Sequence, residues 1–406
     1  MRAARLGLPS DQDASGRSFG AAELERLRAV IESGTLTATK GAQTPELEAR
    51  IATLTGRTHA IACSSGTAAI HAAIAALDPE PGDEIVTTAI TDMGALTPIL
   101  YQGAIPVFAD VDPVTGMVTA ESVEAVRSPR TRAIVATHLF GLPAAVDAIG
   151  EVADAAGLPL VGDCAQAYLT QRAGRPVGGY GSVACFSTQQ GKHLATGEGG
   201  LVVTDDDAIA RRVRVFVNKG WPYGETDPDH EFLALNLRTT ELASAVANAQ
   251  LDTLAAAVAH RQETVVRFLE AIEGTPGITR PTLARGDVAT WWKVPLLVDP
   301  AVVDGGPRAV AARLAERGVA SAPRYIQKPA FECRVFSEQR TFGTSRWPFP
   351  LARAEAVDYT PARFPGTYEY LDRVLVLPWN ERYQAADADA VAGALVDALT
   401  ELGVAA

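Results

Sequence analysis

The chain has 406 residues, 47% of them apolar and 21% charged, and its 36 basic and 48 acidic side chains leave a net charge of −12. Such a composition belongs to a globular chain long enough for two domains. The acidity, without a basic block or basic helix face, argues against nucleic acid as a partner.

Residues 20–56 open with two stretches of helical apolar spacing, 23–31 and 46–52. A short strand is expected over 59–63, then a Ser-Gly-Thr turn and an alanine-rich helix over 68–76. Further buried strands are expected at 84–87, 105–109, 131–137, 159–163, 181–186 and 201–203, with helices near 119–127 and 145–156. Strands alternating with helices predict a doubly wound α/β fold with a mostly parallel central sheet. In such sheets ligands gather beyond the C-terminal strand ends. Residues 239–269 read as one long helix or a broken pair, and 291–298 as a strand. The stretch 325–368, rich in aromatics, Pro and Arg without periodicity, is expected to be a functional loop or partner-contacting arm rather than core. An amphipathic helix is expected over 385–402. These features divide the chain into a large domain, 1–255, and a smaller C-terminal α+β domain, 256–406.

No uninterrupted apolar run is long enough to span a bilayer. The start, Met1-Arg2-Ala3-Ala4-Arg5-Leu6-Gly7-Leu8-Pro9, breaks before a signal-peptide core develops. No membrane partner is expected, and the expected location is cytoplasmic. Cys63, Cys164, Cys185 and Cys333 lack paired spacing, the six histidines form no ligand pattern, and no metal is expected.

Three sites carry chemistry. Of the 36 lysines and arginines only Lys40, Lys192, Lys219, Lys293 and Lys328 are lysines. Lys192 lies in Gln189-Gln190-Gly191-Lys192-His193, ahead of Gly197-Glu198-Gly199-Gly200 and an apolar strand. A lysine where arginine is the usual cation suggests a need for an amine, because a guanidinium does not deprotonate. The alternative is a solvated loop lysine. Ser65-Gly66-Thr67, between strand and helix, is either a phosphate cradle at a helix N-terminus or an ordinary cap. Asp163, at the tip of a buried strand, suits a protonated ring nitrogen or a helix cap. Pyridoxal phosphate needs three such anchors, for phosphate, ring nitrogen and aldehyde.

With these residues in place, Ser65-Gly66-Thr67-Ala68-Ala69, Asp163-Cys164-Ala165-Gln166-Ala167, the run from Phe186-Ser187 through Lys192 to Gly200, and Leu235-Asn236-Leu237-Arg238 are together similar to landmarks of one group. The sequence resembles the DegT/DnrJ/EryC1/StrS aminotransferases over about residues 20–395. The resemblance implies a fold type I enzyme dependent on pyridoxal 5′-phosphate and working as a homodimer with shared active sites. It makes Lys192 the Schiff-base lysine, Asp163 the partner of the ring nitrogen and Gln166 a neighbour of the ring hydroxyl. Gly66, Thr67 and Ser187 take the phosphate positions, Asn236 reaches the phosphate of the neighbouring subunit, and Arg238 assists with a substrate anion. In place of the family's stacking aromatic stands Ile90-Thr91-Asp92-Met93-Gly94, so Asp92 or Met93 is expected over the ring face.

The implied reaction moves an amino group from L-glutamate or L-glutamine to a cyclic ketone, either a nucleotide-linked keto-sugar or a keto-cyclitol, in secondary-metabolite or cell-surface sugar biosynthesis. Two alternatives stand beside it. A dehydratase of the same fold usually carries histidine at the lysine position, so the retained Lys192 counts against it; a cofactor-binding regulator would need no turnover, and the full set of Lys192, Asp163, Gln166 and Ser187 counts against that. Tyr325, Lys328, Phe331 and Arg346 are expected either to line an acceptor pocket or to touch a partner. Trp221 carries the same pair of readings.

Overall fold

The strands of the first half are buried on both faces, which is why each reads as an apolar run rather than an alternation. The computed structural model describes residues 6–404. Helices α1 (Ala21–Ser33) and α2 (Gln43–Thr55) precede β1 (His59–Cys63), α3 (Gly66–Ala76), β2 (Glu84–Thr88), α4 (Thr97–Tyr101) and β3 (Ile105–Ala109). Then follow α5 (Ala120–Val126), β4 (Thr131–Thr137), α6 (Val146–Ala155) and β5 (Leu160–Asp163). A small hairpin, β6 (Gln171–Arg172) and β7 (Arg175–Pro176), leads to β8 (Val183–Ser187), β9 (Gly200–Thr204) and α7 (Asp207–Val217).

Seven strands form one sheet in the order β1-β9-β8-β5-β4-β2-β3. The pairings from β8 to β3 are parallel, and β9 alone runs against both its neighbours. The mostly parallel α/β sheet is therefore present. Helix α3 is apolar on every side and buried along Ala68–Ala75, as a helix packed between a sheet and another helix must be.

The chain then forms α8 (Glu241–Leu251) and α9 (Leu254–Ala271), bent by 58° at their break, so the broken pair is the correct alternative. Among the described residues no single helix is long and apolar enough to cross a membrane. A second sheet, wholly antiparallel, joins β10 (Ile278–Thr279), β11 (Lys293–Val298), β12 (Ala322–Pro323) and β13 (Val374–Pro378) in the order β10-β11-β13-β12. Around it lie α10 (Gly306–Glu316), α11 (Arg334–Ser337), α12 (Pro365–Arg373) and α13 (Ala385–Glu401).

Two expectations need correction. The strand expected at 291 begins at Lys293, because Trp291 takes a left-handed backbone with φ +52°. The stretch 325–368 is not a loose arm. Its Phe331, Phe336, Phe349 and Phe364 are buried in one cluster with Ala89, Leu96, Leu100 and Phe108. Phe108 meets Phe331 and Phe336 edge-on, with ring centroids 5.6 and 5.2 Å apart. Short 3-10 turns and the single-turn α11 present these rings instead of long helices, so no 3.6-residue period marks them as core. Removing the Phe331 ring should cost about 3–5 kcal/mol of unfolding free energy. Urea unfolding of Phe331→Ala checks this, and a loss below about 1 kcal/mol would return the segment to a detachable arm.

Candidate active site

The sheet brings its functional residues to one edge because β1, β5 and β8 all run the same way. Asp163 ends β5 and Ser187 ends β8, while β9 pairs Gly200 with both Ser187 and Cys63. The turn after β1 therefore sits beside the end of β8. Ser65 caps α3 by accepting from the Ala68 amide at 3.0 Å. The cap reading of that turn is thus correct, and it leaves the amides of the first helical turn free for an anion. A side chain at Gly66 would come within 2.7 Å of Ser187 Cβ, so only glycine leaves the cradle open. Thr67 lies next in the same cradle, close against Gly94.

Asp163 is buried, and burial raises its carboxyl pKa while the Ala165 amide and the Lys192 amine act to lower it. Among the described residues its carboxylate accepts from the Ala165 amide at 3.1 Å and the Thr137 hydroxyl at 3.5 Å, with no cation bound to it. A buried carboxylate turned toward a crevice without a partner charge fits a protonated ring nitrogen. Gln166 accepts from the Phe140 amide at 2.7 Å and donates to the Tyr325 hydroxyl at 3.4 Å. The Tyr325 ring in turn lies edge-on to Phe140, with centroids 4.7 Å apart. Burial pushes the Tyr325 hydroxyl up to about 12, so it stays a neutral donor.

Lys192 projects from the connection between β8 and β9. Gln190 N–H donates to Gly197 O at 2.9 Å, and Gly197 turns the chain at φ +86°, a glycine conformation. Lys192 is half-buried, and desolvation lowers its amine pKa from 10.5 to about 8, opposed by the carboxylates of Asp163 and Asp92. Its Nζ lies 4.0 Å from the centroid of the Trp292 ring. The solvated-loop reading of Lys192 therefore fails. The cradle, the unpartnered carboxylate and the depressed amine gather at the same end of the sheet, and their chemistry suits the three groups of pyridoxal phosphate.

The two candidates for the ring face separate. Asp92 is exposed, caps a short turn through the Gly94 amide at 2.7 Å, and acts electrically on both Lys192 and Asp163. Met93 packs against the Phe108–Phe331 cluster instead. Asn236 is exposed on a bridge with Asn218, and its neighbour Leu237 accepts from the Ser64 amide at 2.8 Å beside the cradle; no hydrogen bond among the described residues joins Asn236 to Lys192, Asp163 or Ser187. Arg238 lines a recess of about 280 Å³ with Asn218 and Trp221. Lys328 Nζ donates to Glu332 O at 3.1 Å within its own turn. Sequence reading missed Trp292 and the segment 6–19, whose side chains reach the lysine loop from 101 and 175 residues away and leave no local signal.

In the cofactor-free protein the Lys192 amine should lose its proton with a midpoint near pH 8 rather than 10.5. The Asp163→Asn variant, lacking the charge that favours the ammonium, should move that midpoint lower. Mass-spectrometric acetylation of Lys192 against pH reads both values, and a midpoint above pH 10 in the wild type contradicts the desolvated amine.

The profile of the DegT/DnrJ/EryC1/StrS aminotransferase family matches residues 18–396. A curated relative, UDP-N-acetyl-3-dehydro-alpha-D-glucosamine 3-aminotransferase of Acidithiobacillus ferrooxidans, is 38% identical over 236 residues, 58% of this chain. That match spans 63% of the relative's length. Among solved structures, the aminotransferase TlmJ of Streptoalloteichus hindustanus is 28% identical with a TM-score of 0.82, over 96% of this chain and 98% of the other. The synthase of 3-amino-5-hydroxybenzoic acid is 26% identical with a TM-score of 0.85, over 95% and 98%. Matched by that profile over residues 18–396, the chain belongs to the DegT/DnrJ/EryC1/StrS family of pyridoxal phosphate-dependent aminotransferases.

Proposed function

We propose that this protein moves the amino group of L-glutamate or L-glutamine onto a cyclic ketone, a nucleotide-linked keto-sugar or a keto-cyclitol. The observation that carries the reading is the Lys192 amine, desolvated and drawn to about 8 beside the buried Asp163 carboxylate. The cofactor, when bound, supplies an electron-withdrawing ring and a carbonyl that takes up the donor nitrogen. An amine with a pKa near working pH exchanges protons readily in both directions. Lys192 Nζ would therefore take the proton from the donor's Cα and later deliver one to the carbon of the ketone. Asp163 would keep the ring nitrogen charged, and Gln166, hydrogen-bonded to Tyr325, would lie near the ring hydroxyl. The phosphate sits on Gly66, Thr67 and Ser187.

The relative named for a UDP-linked 3-dehydro-glucosamine supports a sugar acceptor. The synthase named for an aminohydroxybenzoate keeps other six-membered rings open. The protein would work in the cytoplasm as a homodimer, with residues 1–255 as the cofactor domain. Asn236, exposed and without a hydrogen bond to its own chain's Lys192, Asp163 or Ser187, would complete the partner's site.

Bound cofactor should give a visible band that bleaches on adding glutamate or glutamine and returns with an accepted ketone. Keto-sugars and keto-cyclitols offered with ¹⁵N-labelled donor identify the acceptor by the mass of the aminated product. Lys192→Ala should lower turnover by about 100-fold or more. A protein without the visible band, or one bleached by no amino donor, overturns the reading. Mixing Lys192→Ala with Asn236→Ala chains should restore activity, since one site of each mixed dimer then carries neither change; no restoration would place Asn236 outside a shared site.

A further inference from the structure

We propose that Arg17 and Trp292 are positioning residues that clamp the main chain of the lysine loop and so aim the Lys192 amine. The inference rests on Lys192 being the reactive amine. Three consecutive carbonyls of the loop are held by side chains from opposite ends of the chain. Arg17 donates through Nη2 to Gln190 O and through Nη1 to Lys192 O at 2.9 Å. Between them Trp292 Nε1–H donates to Gly191 O at 2.6 Å. The edge of the indole thus holds the loop while its face carries the amine, with Lys192 Nζ at 4.0 Å and Lys293 Nζ at 4.6 Å from its centroid.

Both arms of the clamp are tied to one carboxylate. Arg17 is only 3% exposed, and Glu381 lies 3.7 Å from its Nη1. Arg261, also buried, meets the same Glu381 at 3.1 Å. Arg261 then donates to the carbonyls of Trp291 and Trp292 at 3.3 and 3.4 Å, and to that of Trp379. The segment carrying Arg17 is fastened as well. Asn380 donates to Pro9 O at 2.9 Å, and Gln190 Nε2 donates to Asp11 O at 3.1 Å. Two guanidiniums sharing one buried carboxylate add less stability than apolar packing of the same volume would. What they do supply is direction, because a planar donor fork fixes two carbonyls at once.

The test compares Arg17→Met, Arg17→Lys and Trp292→Phe with the wild-type holoenzyme. Backbone amide exchange across residues 188–197 should speed up about tenfold in Arg17→Met, with exchange in the sheets unchanged. A misdirected amine should lower kcat by about 100-fold while KM for the amino donor stays within about threefold. Arg17→Lys, keeping the charge and one donor, should recover part of both losses. Trp292→Phe keeps an aromatic face but removes the N–H together with the indole's second ring, so it too should loosen the loop, and it decides the matter if Arg17→Met does not fold. Wild-type exchange in the loop, or faster exchange spread over the whole protein, overturns the clamp. Exchange is read without turnover, so a wrong acceptor class leaves this test intact.

Discussion

Everything around the crevice follows from keeping an amine and a carboxylate out of water on the same side of one sheet. Desolvation makes Lys192 a poor cation and Asp163 a poor anion, and each is eased by the other's charge. Such a pair is costly in an empty core and useful where a bound group supplies the missing charges. That requirement selects the parallel sheet, whose strand ends open onto a crevice without exposing an edge. It also selects a helix N-terminus beside that crevice, because the phosphate needs amides that no neighbouring carbonyl has taken.

Much of this was legible in the sequence because it is local. Buried parallel strands appear as short apolar runs, so β1 and β3 fall at their expected bounds and β2 within a residue. The Ser-Gly-Thr turn, Asp163 and Lys192 each also suit an ordinary cap or a solvated loop, and it is their joint order along the chain that points to one site. The family landmarks then supply roles that no spacing argument reaches, among them those of Gln166 and Asn236.

What stayed hidden was non-local or aperiodic. Trp292 looked like the beginning of a strand, yet its left-handed neighbour Trp291 swings it out of the sheet and under the lysine. Residues 6–19 carry no helical or strand signal, since their order comes from side chains elsewhere in the fold. The aromatic stretch beyond 325 defeated periodicity in another way. Its rings reach the core from brief turns, while Tyr325, at the start of the same stretch, accepts a hydrogen bond from Gln166 instead.

The shared carboxylate of Glu381 bears on the order in which the protein comes into being. The main-chain oxygen of Arg17 accepts from Arg382, 365 residues later, and the charge that neutralises Arg17 comes from the residue just before. On the ribosome the large sheet, with its cradle, acid and lysine, emerges long before that neighbour does. Until then Arg17 lacks its counter-charge and the lysine loop lacks its fastening. A chain truncated before residue 381 would therefore carry Asp163 and Lys192 but lack the carboxylate that pairs Arg17 behind the lysine loop.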